Sequence, residues 1–326
     1  MNAMTLSSAQ VAQYLQRIGV RGPVTPNLET LVRLHAAHLV SVPFENLDIV
    51  PARRPIDLEI GALFDKIVSR RRGGFCYELN LLFATLLRSI GFPVRILSAR
   101  VRCANGGFGP EFDHMTLLVE LDELRLADVG YGEGFREPLR LEPEAVQEQA
   151  FAAYRLLRRG VDRPTCLTDF LLRPRRRSPL RRFSRRRGLR RASSTPRSRL
   201  GRSAALTSVS TVSRRNSVRH AAWQLDSRLP ERSWRTEYLF TLKPRRPEDF
   251  RAMCRYHQTS PDSVFTRNPV CSRATPTGRV TITGDRLILT HRGRRSESTI
   301  AGEAELAALL SEHFGIRLDQ EEPCAP

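Results

Sequence analysis

Apolar residues recur at helical spacing three times in the first ninety residues. In LSSAQVAQYLQRIGV, Val11, Tyr14, Leu15 and Ile18 share one face, Ser7 or Ser8 stands where a cap belongs, and Gly19 ends the segment. Asn27 opens a second helix whose apolar face carries Leu28, Leu31, Val32 and His35; it runs towards Leu39, and Pro43 forbids its continuation into VPFENLD. A third begins at Cys76, with Leu79, Leu82, Phe83, Leu86, Leu87 and Ile90 in register and Gly91 and Pro93 as terminators. From Val94 the period changes. VRILSARV, MTLLVEL and LRLADVG are short apolar segments suited to strands, the last two joined at Asp122 and Glu123 as an antiparallel hairpin.

After that hairpin the periodicity fails in RPRRRSPLRRFSRRRGLRRASSTPRSRLGRS, a stretch too poor in apolar surface to offset the entropy of ordering it, so disorder is expected there. Order resumes near Trp223. YLFTLKP and RVTITGDRLILTH read as strands, the second with a Gly-Asp turn, and AELAALLSEHFGI from Ala304 reads as a closing amphipathic helix.

Charge changes the picture in one place only. The net charge is +19, and the window from Arg155 to His220 holds 21 arginines against two acids, Asp162 and Asp169, so it accounts for the whole imbalance. No run approaches the ~18 consecutive apolar residues of a membrane helix. MNAMTLSSAQVAQYL has no basic segment followed by an apolar one, so the expectation is a cytoplasmic protein. The six cysteines form no CxxC pair and the histidines no metal-ligand spacing, which predicts free thiols and no metal site.

Cys76 stands out in RRRGGFCYELN. At a helix N-terminus the unpaired N–H groups stabilise a thiolate, Gly73 and Gly74 let the chain turn sharply and leave the sulfur accessible, and Arg70, Arg71 and Arg72 add positive potential. Free cysteine is nevertheless among the most buried residue types, so the cysteine alone decides nothing. Its company does. A thiolate nucleophile works with a histidine as proton acceptor and a third group to fix the imidazole, and His114 and Asp128 stand at the ends of the predicted hairpin. A two-residue loop at Asp122 and Glu123 would send these two to opposite faces; a three-residue loop or a bulge would bring them together. A triad therefore predicts an irregular hairpin.

RGGFCYELN, VPFENLD, DHMTLLV and ADVGYG, followed by MCRYHQTSPDSVFTRN, together resemble the arylamine N-acetyltransferase family, over Met4 to about Tyr154 and again from about Trp223 to Leu318. The resemblance implies an α+β fold. Residues 1–93 would form a helical domain carrying the nucleophile, 94–241 a β-barrel carrying His114 and Asp128, and 242–326 a C-terminal α/β lid, around a core like that of papain-type proteases and transglutaminases. It implies Cys76 as the acetylated nucleophile, His114 as its base, Asp128 as the imidazole's partner, and acetyl-CoA as donor in ping-pong transfer to an arylamine, hydrazine or arylhydroxylamine. Phe44, Tyr131 and Phe265 match aromatics placed around the acceptor, with core packing as the alternative; the family usually has Phe where this chain has Tyr131.

Several residues stand outside those motifs. In NGGFGPE, the backbone N–H groups of Gly106, Gly107 and Gly109, beside Phe108, suit a CoA phosphate or a forming oxyanion, to which the Cys76 N–H is a further donor. Glu78 and Asn80 read as structural. His35, His38, His291 and His313 read as packing or surface residues, and His257 has the best claim to a role of its own. The family leaves about 158–221 without explanation: a disordered insertion in a barrel loop, an arm for nucleic acid or an anionic surface, or the product of two compensating frameshifts. Rival functions are another papain-like Cys-His-Asp hydrolase or transglutaminase, and a basic nucleic-acid-binding protein with an inert catalytic half.

Overall fold

The computed structural model describes residues 5–160 and 221–317. The arginine-rich stretch, with the readings placed on it, lies outside the described residues. Helix starts follow the capping signals. In α1 (Ser8–Arg17) the Ser7 hydroxyl accepts from the Gln10 N–H while the Gln10 side chain accepts from the Ser7 N–H. In α2 (Leu28–Ser41) the Asn27 side chain accepts from the Thr30 N–H. A short α3 (Ile60–Phe64) runs into a π turn over Asp65–Ser69. Beyond it, α4 (Cys76–Ile90) begins at the cysteine and ends at Gly91, whose φ of 105° suits glycine.

Eight antiparallel strands follow in a nearly closed barrel. They are β2 (Val94–Val101), β3 (His114–Glu120), β4 (Leu124–Ala127), β5 (Leu139–Arg140), β6 (Val146–Glu148), β7 (Ala153–Arg159), β8 (Ala222–Arg228) and β9 (Arg235–Thr241), in the order β5-β4-β3-β2-β9-β8-β7-β6. The two open edges are joined by side chains instead of a ladder. Gln147 on β6 accepts from the Arg140 N–H at 2.7 Å and donates to the Arg140 carbonyl at 3.0 Å, and Gln149 serves Arg136 and Glu137 in the same way. Leu97, Leu118, Leu126, Phe135, Leu156, Trp223 and Phe240 fill the barrel. Because Arg159 on β7 faces Ala222 on β8, the chain leaves and re-enters the sheet at neighbouring points on either side of residues 161–220.

The remaining sheet runs β1 (Phe44–Glu45), β10 (Val270–Thr275), β11 (Gly278–Thr283), β12 (Arg286–His291) and β13 (Arg294–Thr299), with α6 (Glu303–Phe314) packed on it. Sequence segments interleave here. Strand β1 comes from VPFENLD yet pairs with β10, and α5 (Arg251–Thr259) sends Met253 and Cys254 into the core around α4.

Several elements are absent from the sequence reading for physical reasons. All six residues of β13 are exposed, so the ladder to β12 holds it without any apolar signal. Strand β7, AYRLLRR, carries arginines where alternation would show. The α3–π segment is too short to repeat a period. No described helix is long and apolar enough to cross a membrane.

Candidate active site

Three close approaches bring the motifs together. A Cβ on Gly73 would meet the Pro43 carbonyl oxygen, and one on Gly74 would lie 2.7 Å from Glu78 Oε2, so this loop packs flat against VPFENLD, where the Glu45 N–H donates to the Gly74 carbonyl. A Cβ on Gly130 would lie 2.7 Å from Cys76 Cα and 2.6 Å from Asn80 Nδ2, so DVGYG presses directly on the first turn of α4. The glycines serve contact, not access. Cys76 is only 3% exposed, which corrects the expectation of an accessible sulfur.

The hairpin is irregular in the way a triad requires. Glu120 pairs with Leu124 across a three-residue loop, Leu121 to Glu123, and Leu117 pairs with Ala127. That register puts Asp128, just past β4, on the same face as Thr116 and His114. His114 Nε2 lies 2.6 Å from Asp128 Oδ2, with both side chains buried.

Asp128 is saturated with donors. Oδ1 accepts from Asn80 Nδ2 (2.9 Å) and from the Gly130 N–H (3.0 Å); Oδ2 also accepts from the Tyr238 hydroxyl (3.1 Å). Asn80 further donates to the Met115 carbonyl and accepts from the Val129 N–H, so this structural residue holds all three motifs in place. Burial pushes the Asp128 carboxyl up, but His114 and the donated hydrogen bonds outweigh it and hold the acid below its usual range. With Nε2 committed to the carboxylate, Nδ1 is the His114 nitrogen left for proton exchange.

At Cys76 the balance goes the other way. Burial pushes the thiol well above its ordinary value, aided by the negative fields of Asp113 and Asp128 and opposed by a hydrogen bond from the Met115 backbone. Burial thus works against the lowering expected from helix position and nearby arginines. Arg72 is spent on Glu45 and Asp48, and Arg70 pairs with Asp65 at the surface.

The other sequence candidates divide. Tyr131 lies edge-on to His114, centroids 5.4 Å apart, and its hydroxyl donates to Glu237. Phe44 and Phe265 meet at 6.1 Å, and Phe265 packs edge-on against Phe75 and against His257, whose Nδ1 is 3.1 Å from the Ser263 hydroxyl and Nε2 3.3 Å from Asp113. The NGGFGPE loop departs from its expected use. The Gly106, Gly107 and Gly109 N–H groups donate to the Cys103 carbonyl, the Asn105 side chain and the Val101 carbonyl, so none is a spare donor, and Phe108 only bridges to Arg102. A cleft of about 1280 Å³ between residues 49–59 and 251–267 includes none of Cys76, His114 and Asp128 in its lining. Sequence reading missed His35, which sits 0% exposed beneath Asp128. Its helical spacing with Leu31 made it look like core. Cys76, Cys103, Cys254 and Cys271 are free thiols, and the described residues hold no cluster able to bind a metal.

The family model for N-acetyltransferase matches residues 27–182 and 194–322. It enters the arginine-rich stretch from both sides and leaves only 183–193 between its parts, so the family aligns with most of 158–221. Arylamine N-acetyltransferase, pineal gland isozyme NAT-3, from Gallus gallus is 28% identical over 321 residues, 95% of each chain. The arylamine N-acetyltransferase structure from Salmonella typhimurium superposes with a TM-score of 0.73 at 27% identity, over 98% of this chain and 96% of that one. The Mycobacterium marinum enzyme, solved in complex with CoA, gives 0.71 at 26% identity over 94% and 92%. The motifs at this corner of the barrel and the matches along both sheets agree: the chain belongs to the arylamine N-acetyltransferase family of acyltransferases.

Proposed function

We propose that this enzyme acetylates the nitrogen of an arylamine, hydrazine or arylhydroxylamine from acetyl-CoA, through an acetyl-Cys76 intermediate. The observation that carries this reading is the buried His114–Asp128 pair, 2.6 Å apart and pressed by Gly130 onto the first turn of α4. In this reading His114 takes the Cys76 proton for attack of the sulfur on the thioester carbonyl, and the imidazolium formed is held by Asp128. His114 returns the proton to the departing CoA sulfur. In the second half a neutral amine attacks acetyl-Cys76, His114 accepts the amine's proton, and the cysteine is regenerated as a thiol. The Cys76 N–H, at the head of α4, is the donor assigned to the oxyanion. Tyr131, the aromatic edge-on to His114, is assigned to the acceptor's ring, with Phe44 and Phe265 as further aromatics for it. The donor fits this chemistry because thiol–thioester exchange joins partners of similar energy, and the relative in complex with CoA supports it.

Intact mass after exposure to acetyl-CoA, beside Cys76→Ala, tests the reading. One acetyl group on the parent, absent from the variant and discharged by an aromatic amine, is the expected result. A folded parent that gains no mass overturns it.

A further inference from the structure

We propose that His35 is a positioning residue for acetyl transfer: a neutral imidazole, protonated at Nδ1, clamps the Asp128 backbone and thereby fixes the carboxylate that orients His114. The proposal rests on the catalytic assignment above. The Asp128 N–H donates to His35 Nε2 at 3.1 Å, and His35 Nδ1 lies 2.9 Å from the Arg136 carbonyl. Only one tautomer satisfies both, with Nδ1 donating and Nε2 accepting. The clamp fills a real need, because the ladder between β3 and β4 ends at Ala127, one residue short of Asp128. The ring itself is fixed, stacked on Phe135 at 5.6 Å and 4° and set against the edge of Phe83.

The hydrogen-bonded line continues outward. The Arg136 guanidinium donates to the Thr275 and Gly278 carbonyls at the β10–β11 turn, so His35 ties the triad through one residue to the second sheet. A second proton on His35 would turn Nε2 into a donor facing the Asp128 N–H and break the clamp. Burial holds His35 at about 4, well below the usual histidine range, and keeps the accepting form. The charged or titratable groups around it are Asp128 and Arg136 from the barrel and His38 from its own helix; Phe83 of α4 and Phe135 of the barrel are apolar.

Two variants of the full chain test this. His35→Phe keeps the ring volume and loses both hydrogen bonds, whereas His35→Gln offers an amide oxygen to Asp128 and an amide N–H to Arg136 without titrating. The readout is the rate of Cys76 acetylation by rapid-quench mass measurement from pH 4 to 8, with folding checked by near-UV circular dichroism. His35→Phe slows acetylation roughly 10- to 100-fold, the cost of a misplaced catalytic group. His35→Gln restores the rate to within several-fold of the parent, and its rate falls less steeply than the parent's below pH 5. Parental acetylation in His35→Phe overturns the proposal alone. Should His35→Phe not fold, an acid limb in His35→Gln identical to the parent's overturns it. A parent that is never acetylated overturns the acetyl-transfer reading and this one with it.

Discussion

Two buried charge clusters flank the first turn of α4, and they are built on opposite principles. On one side Asp128 stands among uncharged donors, Asn80, Gly130 and Tyr238, with His114 as the histidine on its carboxylate. On the other, Glu45, Asp48 and Glu78 share Lys66 and Arg72, both fixed cations, with Arg54 adding positive field at Asp48. In the first cluster the proton has somewhere to go and the carboxylate does not change state. In the second, two fixed cations bind three carboxylates, and the cluster holds VPFENLD against the loop that carries Cys76. Burial is common to both, so burial alone does not identify a catalytic carboxylate. The nature of its partners does.

The largest effect expected from breaking this contrast is catalytic. Asp128→Asn keeps the shape but replaces an acceptor oxygen with a donor, which forces the wrong tautomer or orientation on His114. By analogy with the serine-protease triad, kcat/KM falls on the order of 10³- to 10⁴-fold. Single-turnover acetylation measures it. A loss under tenfold would mean that Asp128 is structural and the two clusters do not differ in kind. Lys66→Met in the second cluster should do the reverse. It leaves three buried carboxylates with Arg72 as their main partner and costs about 3–5 kcal/mol of stability, read by urea unfolding, while the folded fraction keeps its acetylation chemistry.

The two clusters were unequally legible in the sequence. Cys76, His114 and Asp128 could be named because the chemistry of a thiol nucleophile dictates its company, and the spacing of 114 and 128 posed a test that the three-residue loop answers. Helix starts at Ser8 and Leu28 carry local cues that their side-chain caps confirm, whereas at Cys76 only the Glu78 carboxylate, accepting from the Phe75 N–H, closes the first turn. The fate of the sulfur was not legible, since burial is set by Gly130 arriving from another element. Nor was His35, whose partners lie 93 and 101 residues away. Glu45, Asp48 and Arg72 sit in quoted motifs, yet nothing local says that the three charges meet.

Acid separates the clusters by sign. His35 is depressed by burial to about 4 and His38 lies well below the usual value, so the stability they contribute is present above about pH 6.5 and lost as pH falls through the folded values. Burial raises Glu78 to about 7, so its contribution is present below about pH 4.5 and lost as pH rises. For His35 and Glu78, displaced to about 4 and about 7, the effect is roughly 3 kcal/mol each. Two histidines oppose one glutamate, and stability should therefore fall between pH 6.5 and 4.5. Denaturant midpoints across that range check it. A midpoint that rises on acidification would mean that Glu78 dominates and the histidines are not buried neutral.

The smallest effect expected concerns a third carboxylate. Glu237 accepts from the Tyr131 and Ser227 hydroxyls and lies 3.8 Å from the Arg235 guanidinium, so it shares hydroxyl donors with Asp128 but has no histidine to exchange a proton with. If partner chemistry is what makes a carboxylate catalytic, Glu237 serves only to aim the Tyr131 ring at His114. Tyr131→Phe then removes one hydrogen bond while Ser227 still satisfies the acid, costing about 1 kcal/mol of stability. The ring, no longer tethered, shifts the acceptor's KM several-fold and changes the acetylation half-reaction by less. Acceptor titrations under steady state, set beside single-turnover acetylation of Cys76, separate the two. A fall in the acetylation rate as deep as that of Asp128→Asn would place Glu237 in the proton path, and the partner rule would fail there.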